Sequence, residues 1–380
     1  MGGITVASWG PRMPAIRAEL DVSTGTIGVV LACATVGSII GLLCARLLLH
    51  RLGGRGAVLA TLAIVSCSLV VMGVGVLSRS IAVVGLGFVV VGFGLGALDV
   101  SINVEGAAVE RSAGRTLMPL MHAAWSGGAA LGSAIGALCA ATGIGPAAQF
   151  LGMAVLVLTI GLLTSRDIPL AAPPEPGGQP SEPRAVRVRR WLHGWTDRRL
   201  LLIGLVLLGV EFGEGSANNW LALAVKDNHG QSGALAALFL TIFAISEATA
   251  RTFGGPLVDR FGRVRVLRCA TALGVAGVSL FILSHVIWLV ALGVVLWAIG
   301  VSMGFPLGMS AAAEGDDPAA RVSVAASVGY FASLLGPPLI GFLAESVGLL
   351  GALWSLAILF VAAFVAGGSL RPARVRSSAA

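Results

Sequence analysis

Charge is what this sequence has least of. Only 11% of its 380 residues are Asp, Glu, Lys or Arg, under half of the roughly 25% usual in soluble domains. So few charges cannot coat a water-facing surface, which excludes an ordinary soluble fold. Lysine is nearly absent: of 25 basic residues only Lys226 is lysine, and the rest are arginine. The five cysteines (Cys33, Cys44, Cys67, Cys139, Cys269) are odd in number, lie in or beside apolar runs and show no CxxC spacing. Neither a disulfide framework nor a metal site is indicated, and they read as small core residues. No Walker-type phosphate loop occurs, so ATP is not the expected energy source. No spacing suggests metal ligands or a nucleophile–base pair, so an enzyme is not expected, and neither is a cofactor.

What is present is apolar sequence, 56% of the chain, with a mean hydropathy of +0.93. Apolar segments run over 25–49, 56–77, 81–104, 117–142 and 144–164, then over 198–222, 232–253, 266–284, 286–311, 319–343 and 348–369. Each is near the ~20 residues that cross a bilayer as a helix. Numbered 2 to 12, they follow a segment 1, "MGGITVASWGPRMPAI", with only nine residues before Gly10-Pro11. Nine residues cover about half a bilayer, so segment 1 reads as a truncated helix whose start lies upstream. A cleavable signal peptide does not fit, because no basic stretch precedes the apolar part.

Residues 165–197 are the one long polar stretch and hold six of the 16 prolines. "PLAAPPEPGGQPSEP" reads as an extended, disordered linker. In "AVRVRRWLHGW", Trp191 and Trp195 stand one turn apart among Arg187, Arg189 and Arg190, which suits either a membrane-surface helix or a basic linker. The expected organisation is a half over 1–164, the linker 165–197, a half over 198–369 and a tail over 370–380. With the linker inside, only Arg12, Arg17, Arg79 and Lys226 of the 25 basic residues fall outside. That bias places both termini in the cytoplasm. It also explains a pI near 10.1 without nucleic acid as a partner.

The halves repeat. "HRLGGR" after segment 2 and "DRFGRV" after segment 8 align at an offset of 209 through Gly53 and Gly262. Gly132 and Gly336 align at 204, and Trp9 and Trp220 at 211. A parallel repeat of six-helix halves is the reading. At this point "GGPLVDRFGR" (254–263) resembles the G-x-L-x-D-R-x-G-R loop of the major facilitator superfamily, through Gly255, Leu257, Asp259, Arg260, Gly262 and Arg263. The first-half copy departs from it, with His50 in place of the Asp and Arg46 in place of the first Gly. "DVSINVEGAAVER" in segment 4 and "EGSANNW" in segment 7 resemble a branch of bacterial inner-membrane facilitators loosely akin to fucose permeases.

The resemblance implies an all-α polytopic fold, two six-helix halves in pseudo-twofold arrangement, with segments 1, 4, 7 and 10 lining a central cavity. Membrane carboxylates are costly and so are functional candidates. Segment 7 carries Glu211, Glu214 and Asn218 as one polar stripe, flanked by Asn219 and Trp220. Segment 4 offers Asp99 and Asn103, segment 1 Trp9, and segment 10 Trp297. On segment 5, His122 and Trp125 precede Gly128, Gly132 and Gly136, a close-packing face. That segment resembles the signature of drug–proton antiporters but has Ser133 where the pattern has Pro. Without Lys or Arg in the apolar parts of segments 1, 4, 7 and 10, Glu211 and Glu214 are expected to be protonated and not ion-paired. The loop residues Gly255, Asp259, Arg260, Gly262 and Arg263 read as a cytoplasmic gate in which Asp259 pairs with arginine. Glu247 and Arg251, four apart and near the cytoplasmic end of segment 8, read as an intrahelical pair belonging to it.

The expected activity is proton-coupled transport of a small solute by a monomer in the bacterial inner membrane, working by alternating access among membrane lipids. A proton-antiporting multidrug or metabolite exporter is the alternative. A non-transporting sensor would need a larger soluble output domain than the sequence offers.

Overall fold

Backbone N–H and C=O groups inside hydrocarbon find no water, so each apolar segment must close its own hydrogen bonds as a helix. The computed structural model describes residues 1–113, 118–164, 195–314 and 318–371. The side chains of residues 46, 107, 108, 110–113, 118–120, 122, 123, 318–320 and 323 lie outside the description, as do most of the linker, its Trp191 region and the tail beyond 371. Among the described residues the regular structure is helical, without strands.

Segment 1 is α1 (Gly2–Val6), a 3-10 turn (Gly10–Arg12) and α2 (Met13–Leu20). Segments 2 and 3 form one long α3 (Thr24–Leu77) broken at Gly53. Then come α4 (Ile81–Ala113), α5 (Met118–Ala141) and α6 (Pro146–Thr164). After the linker follow α7 (Arg198–Asp227), α8 (Gly233–Phe261) and α9 (Arg263–Leu283). Segment 10 splits into α10 (Ile287–Ser302) and α11 (Gly304–Ala312), and α12 (Pro318–Val347) and α13 (Leu349–Ala366) complete the chain. Among the described residues, eleven stretches are long and apolar enough to cross a membrane. Segment 1 continues beyond Gly10-Pro11. Pro11 and Pro14 fall in the first turns of the 3-10 turn and of α2, where a missing N–H costs nothing, so the helix resumes to Leu20.

Backbone geometry repeats with the sequence. Positive φ occurs at Asp21 and Gly230, at Gly53 and Gly262, and at Gly143 and Gly348, pairs 209, 209 and 205 residues apart. Gly53 (φ 67°, ψ 173°) and Gly262 (φ 80°, ψ 154°) share a region open essentially to glycine alone. A Cβ at either would meet nothing within 4 Å, so only backbone strain opposes a side chain. Gly53→Ala or Gly262→Ala is therefore expected to lower stability by about 1–3 kcal/mol, measured by thermal unfolding in detergent.

Small residues set the helix spacing. A Cβ on Gly37 or Gly41 of α3 would lie 2.0 and 2.2 Å from carbonyl oxygens of Val89 and Phe93 on α4. Gly92 and Gly96 of α4 answer against Ala34 and Ser38 of α3 at 2.0 and 2.5 Å. Two small-xxx-small stripes thus face each other. The Gly128–Gly132 face of α5 packs likewise on Ile4 of α1.

Contacts divide the molecule into two compact units. One holds the described residues up to 164 with Ala217–Ile245 and Pro337–Ala352; the other holds those from 195 to Ser216, Ser246–Gly336 and Leu353 to 371.

Candidate functional site

In the second unit, α7 places Glu211 and Glu214 about 20 and 24 Å along a helix of 30 residues. Opposite, α8 runs on through Pro256 to Phe261, so Glu247 and Arg251 lie about 21 and 15 Å from its linker end. Their expected place near the cytoplasmic end is corrected accordingly: the apolar run fades at 253 but the helix does not. The Arg251 guanidinium is 2.7 Å from Glu214 Oε2 and 2.6 Å from Glu247 Oε1. Glu214 is therefore ion-paired, against the sequence expectation, because its basic partner comes from the neighbouring helix. Arg251 Nε also donates to the Ser302 carbonyl at 3.1 Å. That carbonyl is free because its helical donor four residues on would be Pro306, which has no N–H. The same proline accounts for the break between α10 and α11 at Met303.

Three carboxylates and one guanidinium converge here. Glu211 has no hydrogen bond or ion pair among the described residues. Its Cγ and the edge of the Phe305 ring both lie within 3.4 Å of where a Cβ on Gly329 would sit. Phe305 in turn pairs with Tyr330, their ring centroids 6.4 Å apart. Trp297 is not part of a polar wall: it is fully buried, edge-on to Phe281 at 5.9 Å between α9 and α10.

The rest of the expected stripe lies in the first unit. Trp9 is buried and its Nε1 donates to Asn219 Oδ1 at 3.4 Å, while its ring packs on Phe88. A Cβ on Gly10 would fall 2.3 Å from the Asn218 carbonyl oxygen, so segment 1 and α7 touch backbone to backbone. Arg17 pairs with Asp227, and the Ser23 hydroxyl donates to Glu345 at 3.1 Å. These contacts tie the ends of the two sequence halves together opposite the linker. Trp220 is fully buried and donates to the Pro337 carbonyl at 2.8 Å, so it fastens α7 to the proline pair of α12 and does not line a cavity. On α4, Asn103 donates to the Asp99 carboxylate at 3.2 Å and to its carbonyl at 2.8 Å. Trp125 of α5 covers Gly2, and the side chain of His122 lies outside the described residues. Arg12, counted in sequence among the basic residues outside, is buried and donates to the Ile144 carbonyl.

At the linker end, Arg263 and Arg199 both pair with Glu314, Arg260 lies over the Phe261 ring, and Gly255 is open. Asp259 is exposed and has no ion pair among the described residues. The expected Asp259–arginine pairing is thus not found there, because the turn at Gly262 carries Arg263 to Glu314 instead. Asp197 accepts from the Arg199 and Leu200 N–H groups at 2.8 and 3.2 Å, capping α7, and pairs with Arg321. Burial would raise the Asp197 carboxyl, but the hydrogen bond and charge of Arg321 and the cap N–H groups hold it below its usual range. A lowered carboxyl value stabilises the fold above about pH 4 and loses that contribution as pH falls through it. Asp197→Asn is expected to cost up to about 1 kcal/mol at neutral pH, and Asp197→Ala about 1 more through the lost cap. In thermal unfolding against pH, the gap between wild type and Asp197→Asn should close in acid.

The Major Facilitator Superfamily model matches residues 210–380. An uncharacterized transporter of Sinorhizobium fredii is 30% identical over 348 residues, covering 91% of this chain and 89% of the relative. An uncharacterized MFS-type transporter of Yersinia pestis is 25% identical over 364 residues, covering 95% and 91%. Among solved structures, a variant of the nucleoside transporter NupG matches with a TM-score of 0.79 at 14% identity, covering 97% of this chain and 98% of that one. A D-xylose–proton symporter matches with 0.68 at 16%, covering 97% and 95%. The repeated helical fold and these matches support a multi-pass secondary transporter. The chain belongs to the major facilitator superfamily. The closer kinship with fucose permeases is not shown by these comparisons.

Proposed function

We propose that this protein moves a small polar solute by alternating access, with protons as the coupling ion, and that Glu211, Glu214, Glu247 and Arg251 are the coupling centre. The observation that carries this is the shared guanidinium. Fully ionised, three carboxylates against one Arg leave two uncompensated negative charges at mid-helix, a costly state in a membrane. A proton on one carboxylate lowers that cost and loosens its hold on Arg251, while a bound solute competes for the same groups. Arg251 also grips the Ser302 carbonyl at the α10–α11 break, so its release bears directly on a discontinuous helix. The basic-residue bias supports placement in the bacterial inner membrane with the linker and both termini in the cytoplasm. Asp259, exposed at the linker end, is left to serve as a latch in the alternate state.

A second reading is exchange of an organic cation for protons. The Phe305–Tyr330 pair beside Glu211 favours it, since aromatic faces next to a carboxylate suit a cation. The test of the main reading is uptake into proteoliposomes under an imposed pH gradient, across sugars, organic acids and amines. Accumulation of a solute that collapses with a protonophore supports proton coupling. Transport indifferent to the gradient overturns it.

A further inference from the structure

A groove of about 530 Å³ opens on the first unit between the start of α3, the start of α4 and the end of α12. We propose that it binds one phospholipid whose headgroup carries a primary ammonium, with an acyl chain along the groove and the ammonium on Glu345. Its walls are apolar: Val29, Leu86 and Phe342 are half exposed, and Val30 and Cys33 form the floor. From Gly25 to Cys33 it runs about 12 Å along α3. Glu345, at the mouth opposite the linker, is the only charged residue among the described residues of the lining.

That carboxylate accepts one hydrogen bond, from the Ser23 hydroxyl, and has no ion pair among the described residues. It sits so close to Gly25 that a Cβ there would fall 1.8 Å from Oε1. A carboxylate offers about four acceptor positions, so room remains for an ammonium with three donors. An apolar channel with a single anionic mouth selects against an anionic headgroup by charge. It selects against a trimethylated one because that cation has no N–H to donate. The occupant would also act on the transporter. The walls come from both sequence halves, which touch where a Cβ on Gly28 would lie 3.1 Å from the Gly341 Cα. The crease exists only while α3 and α12 touch, so a lipid in it holds that end closed.

The test is lipid binding by native mass spectrometry and thermal unfolding in nanodiscs. The full chain is placed in phosphatidylcholine with added phosphatidylethanolamine or phosphatidylglycerol of the same acyl chains. The expected result is about threefold to fivefold preference for phosphatidylethanolamine, the size of a partly wet charge contact, with a matching rise in melting temperature. Glu345→Gln should reduce the preference to about onefold. Gly85→Leu, which fills the groove where a Cβ meets only Cys33 Sγ at 3.7 Å, should remove the bound lipid while leaving Glu345 in place. Equal binding of all three lipids, or a preference surviving both variants, overturns the proposal. So does free ethanolamine in phosphatidylcholine reproducing the whole effect, which would indicate a soluble amine and not a lipid.

Discussion

Arg251→Met should abolish solute transport and destabilise the protein by about 2–3 kcal/mol. Removing one partner of a buried ion pair costs about 3–5 kcal/mol because the other charge is stranded. The Arg251 side chain is 30% exposed, which brings the expected figure toward the low end. Three anchors are lost together: the Glu214 and Glu247 carboxylates and the Ser302 carbonyl. Arg251→Lys keeps the charge but not the fork that serves all three, so it should recover most of the stability and only part of the transport. Arg251→Met combined with Glu247→Gln should recover part of the stability, since Glu214 is still left without its partner, and no transport. Thermal unfolding alongside proteoliposome uptake separates these outcomes. An Arg251→Met variant that transports at the wild-type rate would remove the cluster from the mechanism.

Gly10→Ala is expected to push the protein away from the arrangement in which the ends opposite the linker are closed. Its Cβ would overlap the Asn218 carbonyl, a backbone atom that cannot rotate aside. Such overpacking costs about 1–3 kcal/mol, a shift of about tenfold in the closed-to-open ratio. Arg17→Gln touches the same end but breaks a pair whose side chains are 32% and 33% exposed. That pair is worth at most about 1 kcal/mol, so the shift should be smaller. The measurement is the labelling rate of a cysteine placed at Ile27, one turn beyond Ser23 in α3 and fully buried in the closed arrangement, in a cysteine-free background. Labelling should rise steeply in Gly10→Ala and modestly in Arg17→Gln; equal rates in all three proteins would contradict the closed contact at Gly10.

Much of the fold was legible because hydrophobic length and loop charge are local properties. The repeat offset at Gly53 and Gly262 could be read in letters, and the same two glycines adopt the same backbone conformation. Glu211 and Glu214 stood out because carboxylates are rare in apolar helices. What stayed hidden was tertiary. Nothing in segment 7 announces that Arg251 reaches Glu214 from another helix, and the proline that frees the Ser302 carbonyl acts four residues away. Hydropathy ended segment 8 at 253, while Pro256 was accommodated and the helix ran on to Phe261. Trp220 flanks the polar stripe of segment 7 and Trp297 lies on a segment that the family resemblance puts at the cavity, yet both are core, because adjacency in sequence does not fix which face of a helix a side chain takes. Charge counting places Arg12 outside with no sign that it is buried; Pro11 and Pro14 begin helical turns around it and carry it into the packed region.

The most direct test of the coupling centre separates solute exchange from proton-driven accumulation in the same proteoliposomes. Wild type, Glu211→Gln, Glu214→Gln and Glu247→Gln would be compared for exchange of labelled solute at equal pH on both sides, and for accumulation against an imposed pH gradient. A coupling centre predicts that at least one variant keeps exchange near the wild-type rate and loses gradient-driven accumulation. Accumulation that persists in all three variants, or loss of both activities in every one, would contradict it.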